Sequence, residues 1–385
     1  MRFFLCLCFV VIIQSFFAAR HGAAEEITIG VRVDTPPFAS IDRDSGAYVG
    51  YFYKICTEAV TRAGYQFNEE PVDATKRNAF LTKGDDDFDL LCDPTTITLS
   101  RMENFAALDA DPEKVAKVIG TSSEPNAPHL DYSQIVFVAN GGYVTASKAP
   151  DAVWQAGIEE QVGVEEKVAE GVEPSVKNCK HYFDYAKAYA EKESKGDAPS
   201  DQTNNADDAE GEPFITFRYR RAAPSKAVKL LGYVVGSTIG EKVFEFSADT
   251  IKPVPCTLPS HTEAAAAFCS GKLHRYYGDL DIIRASIADY VDKSGDECNV
   301  QNAPDKDLTY EPYAFVISSR VPEFQERFAC ALYSMFEDKS MEQLFQGQFS
   351  AQKSTFLETL FAINSIPSGR REVSSSSPHV CGIVR

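Results

Sequence analysis

Over residues 26–91 the hydropathic period switches repeatedly between two and about 3.6, and this alternation restricts the fold more than any other feature. Residues 26–33 alternate apolar and polar side chains and stop short of Pro36 and Pro37. Residues 52–63 place Phe52, Ile55, Cys56, Ala59 and Val60 at helical spacing. A second strand-like stretch, 66–72, precedes a polar helix and then the apolar strand 88–91. Strand, helix, strand, helix, strand in that order predicts an α/β fold with a parallel, doubly wound sheet. Ligands of such sheets bind outside the carboxyl ends of the strands. Here that place is occupied by CDPTTITLSR, residues 92–101, with four hydroxyl side chains and one guanidinium.

The chain of 385 residues, 44% hydrophobic, is long enough for two cores, because single cores stop growing near 250 to 300 residues. A net charge of -18 repels nucleic acid and anionic lipid, and the one compact basic cluster is Arg218-Tyr219-Arg220-Arg221. No nucleic-acid partner is expected. Arg2, the apolar run 3–19 and the small residues Gly22, Ala23 and Ala24 before Glu25 read as a cleaved export signal, residues 1–24. An uncleaved anchor is the competing reading, but the run is near the lower length limit for spanning a bilayer. Eight cysteines remain after residue 24, an even number that suits disulfides in an exported protein. Cys56, on the first helix, and Cys92, at the end of the strand it packs on, form the preferred bridge. The sequence holds no CxxC and no histidine pair at metal-ligand spacing, so neither metal nor cofactor is expected.

The middle of the chain departs from this pattern. Residues 148–225 contain a charged, helix-prone stretch around 154–195 and then GDAPSDQTNNADDAEGEP, too polar to order itself by burial. They read as an inserted surface module that projects from its lobe on a flexible hinge. Regular structure resumes with the strand 228–235, which ends in GSTIGE, and continues through TEAAAAFCSGKLHRYYGD as helix, turn and strand. The apolar strand 313–318 leads to a helical region over 323–345.

The segments ITIGVRVDTPPF, GAYVGYFYKIC, FDLLCDPTTITLSR, LDYSQIVFV, GYVVGSTIGE, GKLHRYYGD and EPYAFVI occur in the order seen in family 3 periplasmic solute-binding proteins. The chain resembles that family, the amino-acid receptors of ABC importers, and within it the glutamate/aspartate-like branch. The resemblance implies a type II periplasmic binding protein fold, two lobes that are each a sheet flanked by helices. Lobe 1 would comprise residues 25–140 and 312–365, lobe 2 residues 141–311 with the insertion 148–225, and 366–385 would be a tail.

An amino-acid zwitterion needs a cation and donors for its carboxylate and an anion for its ammonium. Arg101 offers a planar fork and Thr96 a hydroxyl. The resemblance assigns Pro94, through its backbone, with Thr96 and Arg101 to the α-carboxylate, and Asp279 to the α-ammonium. Ser237 and Thr238 are expected at a helix N-terminus, where free N–H groups favour a carboxylate. Arg32 resembles the residue that grips a side-chain carboxylate in the dicarboxylate-binding branch; pairing with Asp34 or Asp42 is the competing reading. Asp93, in place of the usual glycine, counts against a second ligand carboxylate. Phe38 is a candidate for the ligand's aliphatic stem, with a core role as its alternative.

These readings combine into an exported binding protein, not an enzyme, that captures a dicarboxylic or polar amino acid between two lobes. The expected partners are the amino acid and a membrane ABC permease, and the protein is expected in the periplasm as a monomer. Two rival readings stand beside it. One is a cyclohexadienyl or arogenate dehydratase on the same scaffold, with Asp279 or Asp93 moving protons; the other is a nontransport periplasmic partner protein that docks through the insertion.

Overall fold

The computed structural model describes residues 25–84, 88–110, 129–147, 150–168, 176–194, 227–240, 243, 251–301, 308–349 and 353–365. The expected signal segment 1–24, the linker 196–212 and the tail 366–385 lie outside them. The chain divides into two compact units, Met1–Val138 with Pro312–Arg385, and Ala139–Glu311.

Unit 1 begins with β1 (Glu26–Arg32), in which Ile27, Ile29 and Val31 are buried. A small antiparallel sheet of β2 (Asp34–Thr35), β3 (Ala39–Ile41) and β4 (Tyr48–Val49) leads into α1 (Tyr51–Arg62). The junction is Gly50, whose φ of 120° suits glycine alone; a β-carbon there would strike the Phe38 carbonyl. α1 buries Tyr51, Phe52, Ile55, Cys56, Ala59 and Val60, one face at 3.6-residue spacing. β5 (Gln66–Val72), α2 (Ala74–Lys83), β6 (Leu90–Thr96) and α3 (Leu99–Ala110) continue the alternation. The Asp73 carboxylate caps α2 by accepting from the Lys76 N–H, and Gly84 closes it in the left-handed region.

β1 pairs in parallel with β5 on one side and β6 on the other, so the order reverses between β1 and β6. Such a reversal leaves a crevice at the carboxyl ends of the two strands. A disulfide joins Cys56 on α1 to Cys92 on β6, the pairing expected from the sequence. β6 runs to Thr96, past the expected end at residue 91. Proline cannot donate to a ladder, and the pairing partner of β6 accordingly shifts register near Pro94 before Thr95 and Thr96 are paired again.

The chain continues through β7 (Leu130–Tyr132) and enters unit 2 along β8 (Phe137–Ala146). α4 (Ala152–Val168), β9 (Lys177–Asn178) and α5 (Cys179–Ser194) come next. They are followed by β10 (Ala227–Val234), β11 (Ile251–Leu258), α6 (His261–Cys269), β12 (Arg275–Asp279), α7 (Leu280–Ser294) and β13 (Val300–Gln301). The strand order of this unit is β8-β12-β10-β11-β9, with β13 along β8. β10 is parallel to both β11 and β12, so here the order reverses between β10 and β12. β14 (Thr309–Ser318) carries the chain back to unit 1, where α8 (Phe324–Glu337), α9 (Ser340–Gln348) and α10 (Thr355–Asn364) complete it.

The described part of the 148–225 insertion differs from a projecting module. β9 adds a parallel strand to the edge of β11, and the Cys179–Cys256 disulfide fastens α5 to the same strand. The Gln155 side-chain amide donates to the Val228 carbonyl at 2.8 Å, and Lys272 lies over the rings of Trp154 and Phe183. α4 and α5 pack closely enough that a β-carbon on Gly157 would meet the Ala186 backbone. A sheet edge with unpaired N–H and C=O groups accepts such an addition readily, and the module is thereby part of unit 2. A third disulfide, Cys269–Cys298, links α6 to the segment after α7, and Cys330 is also disulfide-bonded.

Candidate functional site

In unit 1 the crevice is lined from the carboxyl ends of β1 and β6. Arg101 lies in the first turn of α3, and its guanidinium donates to the Thr96 carbonyl at 2.7 Å. The Tyr132 hydroxyl donates to the same carbonyl at 3.2 Å. The backbone N–H of Arg101 is held by the Thr98 hydroxyl at 3.2 Å. Thr96, Arg101, Thr98 and Tyr132 thus form one polar group at the end of β6, and Pro94 is buried in the strand beneath it. The guanidinium is half-buried, and its planar fork is the geometry that suits a carboxylate.

Arg32 and Phe38 have different surroundings. The Arg32 guanidinium is 3% exposed and donates to Asp34 from Nε at 3.1 Å and from Nη2 at 2.6 Å. Its Nη1 lies 3.7 Å from Asp93 Oδ1, and the other Asp93 oxygen takes hydrogen bonds from Arg77 Nε and from the Thr95 hydroxyl. Burial by itself would lower the Arg32 pKa, but Asp34 and Asp93 outweigh it and hold the group firmly charged. Burial would likewise raise the Asp93 pKa; the Arg77 and Arg32 charges reverse this and keep the carboxyl below its usual range. The four side chains make a neutral, two-plus, two-minus cluster, so the positive charge of Arg32 is already balanced within the protein. Phe38 has no exposed surface and meets Phe52, Phe137, Tyr313 and Phe349 ring to ring, the role of a core side chain.

In unit 2 the corresponding strand ends are those of β10 and β12. After β10 the chain turns at Gly236, with φ of 73°, and makes a 3-10 turn over residues 238–240. Ser237 N–H donates to the Val234 carbonyl, and its own carbonyl accepts from Gly240 N–H, so these backbone groups close the turn. Ser237 thus stands immediately before this helical turn, and the residues after Gly240, except 243, lie outside the described ones. The Thr238 hydroxyl donates to Glu311 Oε2 at 2.9 Å. Asp279 ends β12 and caps α7, accepting from the N–H groups of Asp281 at 2.6 Å and Ile282 at 3.1 Å. Capping fixes the carboxylate at the strand end, beside Gly141 in the β8–β12 register.

Residues 27–351 match the family described as bacterial extracellular solute-binding proteins, family 3. The chain belongs to that family. A search among curated proteins finds no match. An ancestral arginine-binding protein bound to glutamine is 16% identical, with a TM-score of 0.49, over 86% of this chain and 100% of that one. A periplasmic His/Glu/Gln/Arg/opine family-binding protein from Silicibacter pomeroyi in complex with lysine is 13% identical, with a TM-score of 0.48, over 85% and 99%. The ancestral amino acid-binding protein AncCDT-1, a precursor of cyclohexadienyl dehydratase, is 16% identical, with a TM-score of 0.47, over 84% and 95%.

Two residues of this family 3 solute-binding protein escape the sequence reading. Arg77 shares the buried face of α2 with Ala74, Phe80 and Leu81, and a charged residue in that apolar row is a signal for a buried counter-ion. Glu311 gives no comparable sign, since a polar residue at the start of a strand is ordinary. Among the described residues no group of three or more His, Cys, Asp or Glu is arranged to hold a metal ion, and no helix is long and apolar enough to cross a membrane.

Proposed function

We propose that the chain is a periplasmic solute-binding protein that captures a polar amino acid and delivers it to a membrane ABC permease. Family membership supports binding of a solute outside the cytoplasm, and one arrangement favours an amino acid. Arg101 stands at the carboxyl end of β6 with its guanidinium oriented by the Thr96 carbonyl, a cation prepared for a planar carboxylate. Asp279, placed at the equivalent strand end of unit 2, serves the ammonium. Of the two side-chain classes that the sequence suggests, the neutral cluster around Arg32 favours a polar ligand over a dicarboxylic one.

The dehydratase alternative gains nothing from Asp93, because a carboxyl held ionised by Arg77 and Arg32 and buried to 1% exposure has no proton to lend. Replacing Arg101 tests the binding reading. Arg101→Ala is expected to weaken amino-acid binding by about two to three decades, the cost of leaving a buried carboxylate without its cation, while the far-UV circular dichroism is unchanged. Calorimetric titration that gives near-normal affinity for this variant excludes the carboxylate role. The same protein incubated with arogenate or prephenate is expected to leave both intact.

A further inference from the structure

Glu311 closes unit 2 and is 6% exposed. Its two oxygens are held by two hydroxyls, Thr309 at 2.6 Å and Thr238 at 2.9 Å. Among the described residues no lysine, arginine or histidine forms an ion pair with it. Buried carboxylates are ordinarily paired with a cation, because hydroxyl donors alone recover only part of the lost hydration. The contrast inside the same protein is direct: Asp93, also buried, has two arginines.

Thr238 changes character through this contact. A hydroxyl has one proton, a carboxylate can only accept, and so the proton of Thr238 is committed to Glu311. What remains on the threonine oxygen is lone pairs. The Thr238 hydroxyl proton is therefore not a donor for a ligand carboxylate. Gly141 extends the same face. A β-carbon there would collide with the Thr309 hydroxyl and lie 3.3 Å from Glu311 Oε1, and its cross-strand partner is Asp279. Paired residues of an antiparallel ladder project to one face, which puts Asp279 and Glu311 on the same side of the sheet about Gly141.

We infer that Glu311 is a specificity-determining residue that receives a positively charged side-chain group of the ligand, so that the amino acid taken by this protein is a cationic one. The inference rests on the reading that the ligand is an amino acid. Charge matching within unit 2 supports it: Asp279 answers the α-ammonium, and Glu311 is a second carboxylate on the same side of the sheet, which suits a second cation on the ligand. Arg32 offers nothing to an acidic side chain, since Asp34 and Asp93 balance it with Arg77.

Calorimetric titration of the full mature protein with L-lysine, L-arginine, L-norleucine and L-glutamate tests this. Norleucine keeps the length of lysine and lacks its charge. L-lysine or L-arginine is expected to bind about tenfold or more tighter than norleucine, the scale of one charge-assisted hydrogen bond, with glutamate weakest. In Glu311→Gln, with its fold checked by circular dichroism, the ratio of cationic to neutral ligand is expected to fall toward one. A wild-type ratio near one, or tighter binding of glutamate than of lysine, overturns the inference whatever the variant does. A ratio that survives Glu311→Gln overturns it as well. If none of these ligands nor L-glutamine binds the wild type, the amino-acid reading itself fails, and this inference with it.

Discussion

Asp93 and Arg77 show how a single replacement reorganises its surroundings. Where the family resemblance leads one to expect glycine, a carboxylate sits wholly inside unit 1 and draws Arg77 from α2 and Arg32 from β1 onto itself. The pair is costly to break and of little net value when intact, because desolvation offsets the attraction. Arg77→Met is therefore expected to lower stability by about 3–5 kcal/mol, as Asp93 stays buried with only the more distant Arg32. Urea denaturation measures this, and a midpoint equal to wild type means that the cluster relaxes to admit water. For Arg32 the sequence offers two readings, a ligand contact and a pairing with a near acid; the geometry displays the pairing with Asp34. Composition around a residue cannot decide between them, since a free cation and a paired one have the same neighbours in sequence. Phe38 had the same ambiguity, and four rings packed against it place it in the core.

At the scale of elements, periodicity was most informative where burial is one-sided. Helix α1 and strand β1 start and stop within two residues of their expected limits because their apolar faces repeat cleanly and Gly50 forces the break between the preceding turn and the helix. β11 and β9 gave no such signal. β11 reads IKPVPCTL, in which two prolines argue against a paired strand, and β9 has two residues. Both depend on tertiary pairing and on the Cys179–Cys256 bridge, which no local pattern announces. The consequence for the insertion is quantitative. Cys179→Ala with Cys256→Ala opens a bridge 77 residues apart in sequence and is expected to destabilise unit 2 by about 2–4 kcal/mol. Deleting 151–224 removes that bridge together with the edge strand, so the shortened protein should unfold at lower urea than the double alanine variant. A deletion that melts like wild type would mean that α4, β9 and α5 ride on the sheet without stabilising it.

For the whole molecule, the switch point of unit 1 is the part of the site most legible in the sequence, because the alternation of strands and helices over 26–91 announces it; that of unit 2 depends on β11, and the side-chain chemistry is less legible still, since Glu311 and Arg77 come from other elements. The units also carry different acid-labile groups, and this predicts that they lose stability in different pH windows. In unit 2 the pKa of His274 is lowered from 6.5 to about 4, first by burial and then by Lys229 and Arg275. Its Nδ1 accepts from the Leu230 N–H at 3.1 Å, a bond that a proton on Nδ1 abolishes. The unfolded chain takes up that proton near 6.5, so the contribution is complete above that pH and is lost as pH falls toward 4. In unit 1 the Asp93 pKa is depressed below 3.8, so its contribution persists above 3.8 and is lost only as pH falls through the lower folded value. The single tryptophan, Trp154, belongs to unit 2 and reports on it alone. Urea midpoints followed by tryptophan fluorescence are expected to decline from about pH 6.5 to about pH 4.5. In His274→Gln, whose amide oxygen can accept the same N–H without titrating, the decline over this interval should flatten. A wild-type midpoint that is constant across the interval, or a decline that is undiminished in the glutamine variant, shows that the histidine does not govern the acid response of this unit.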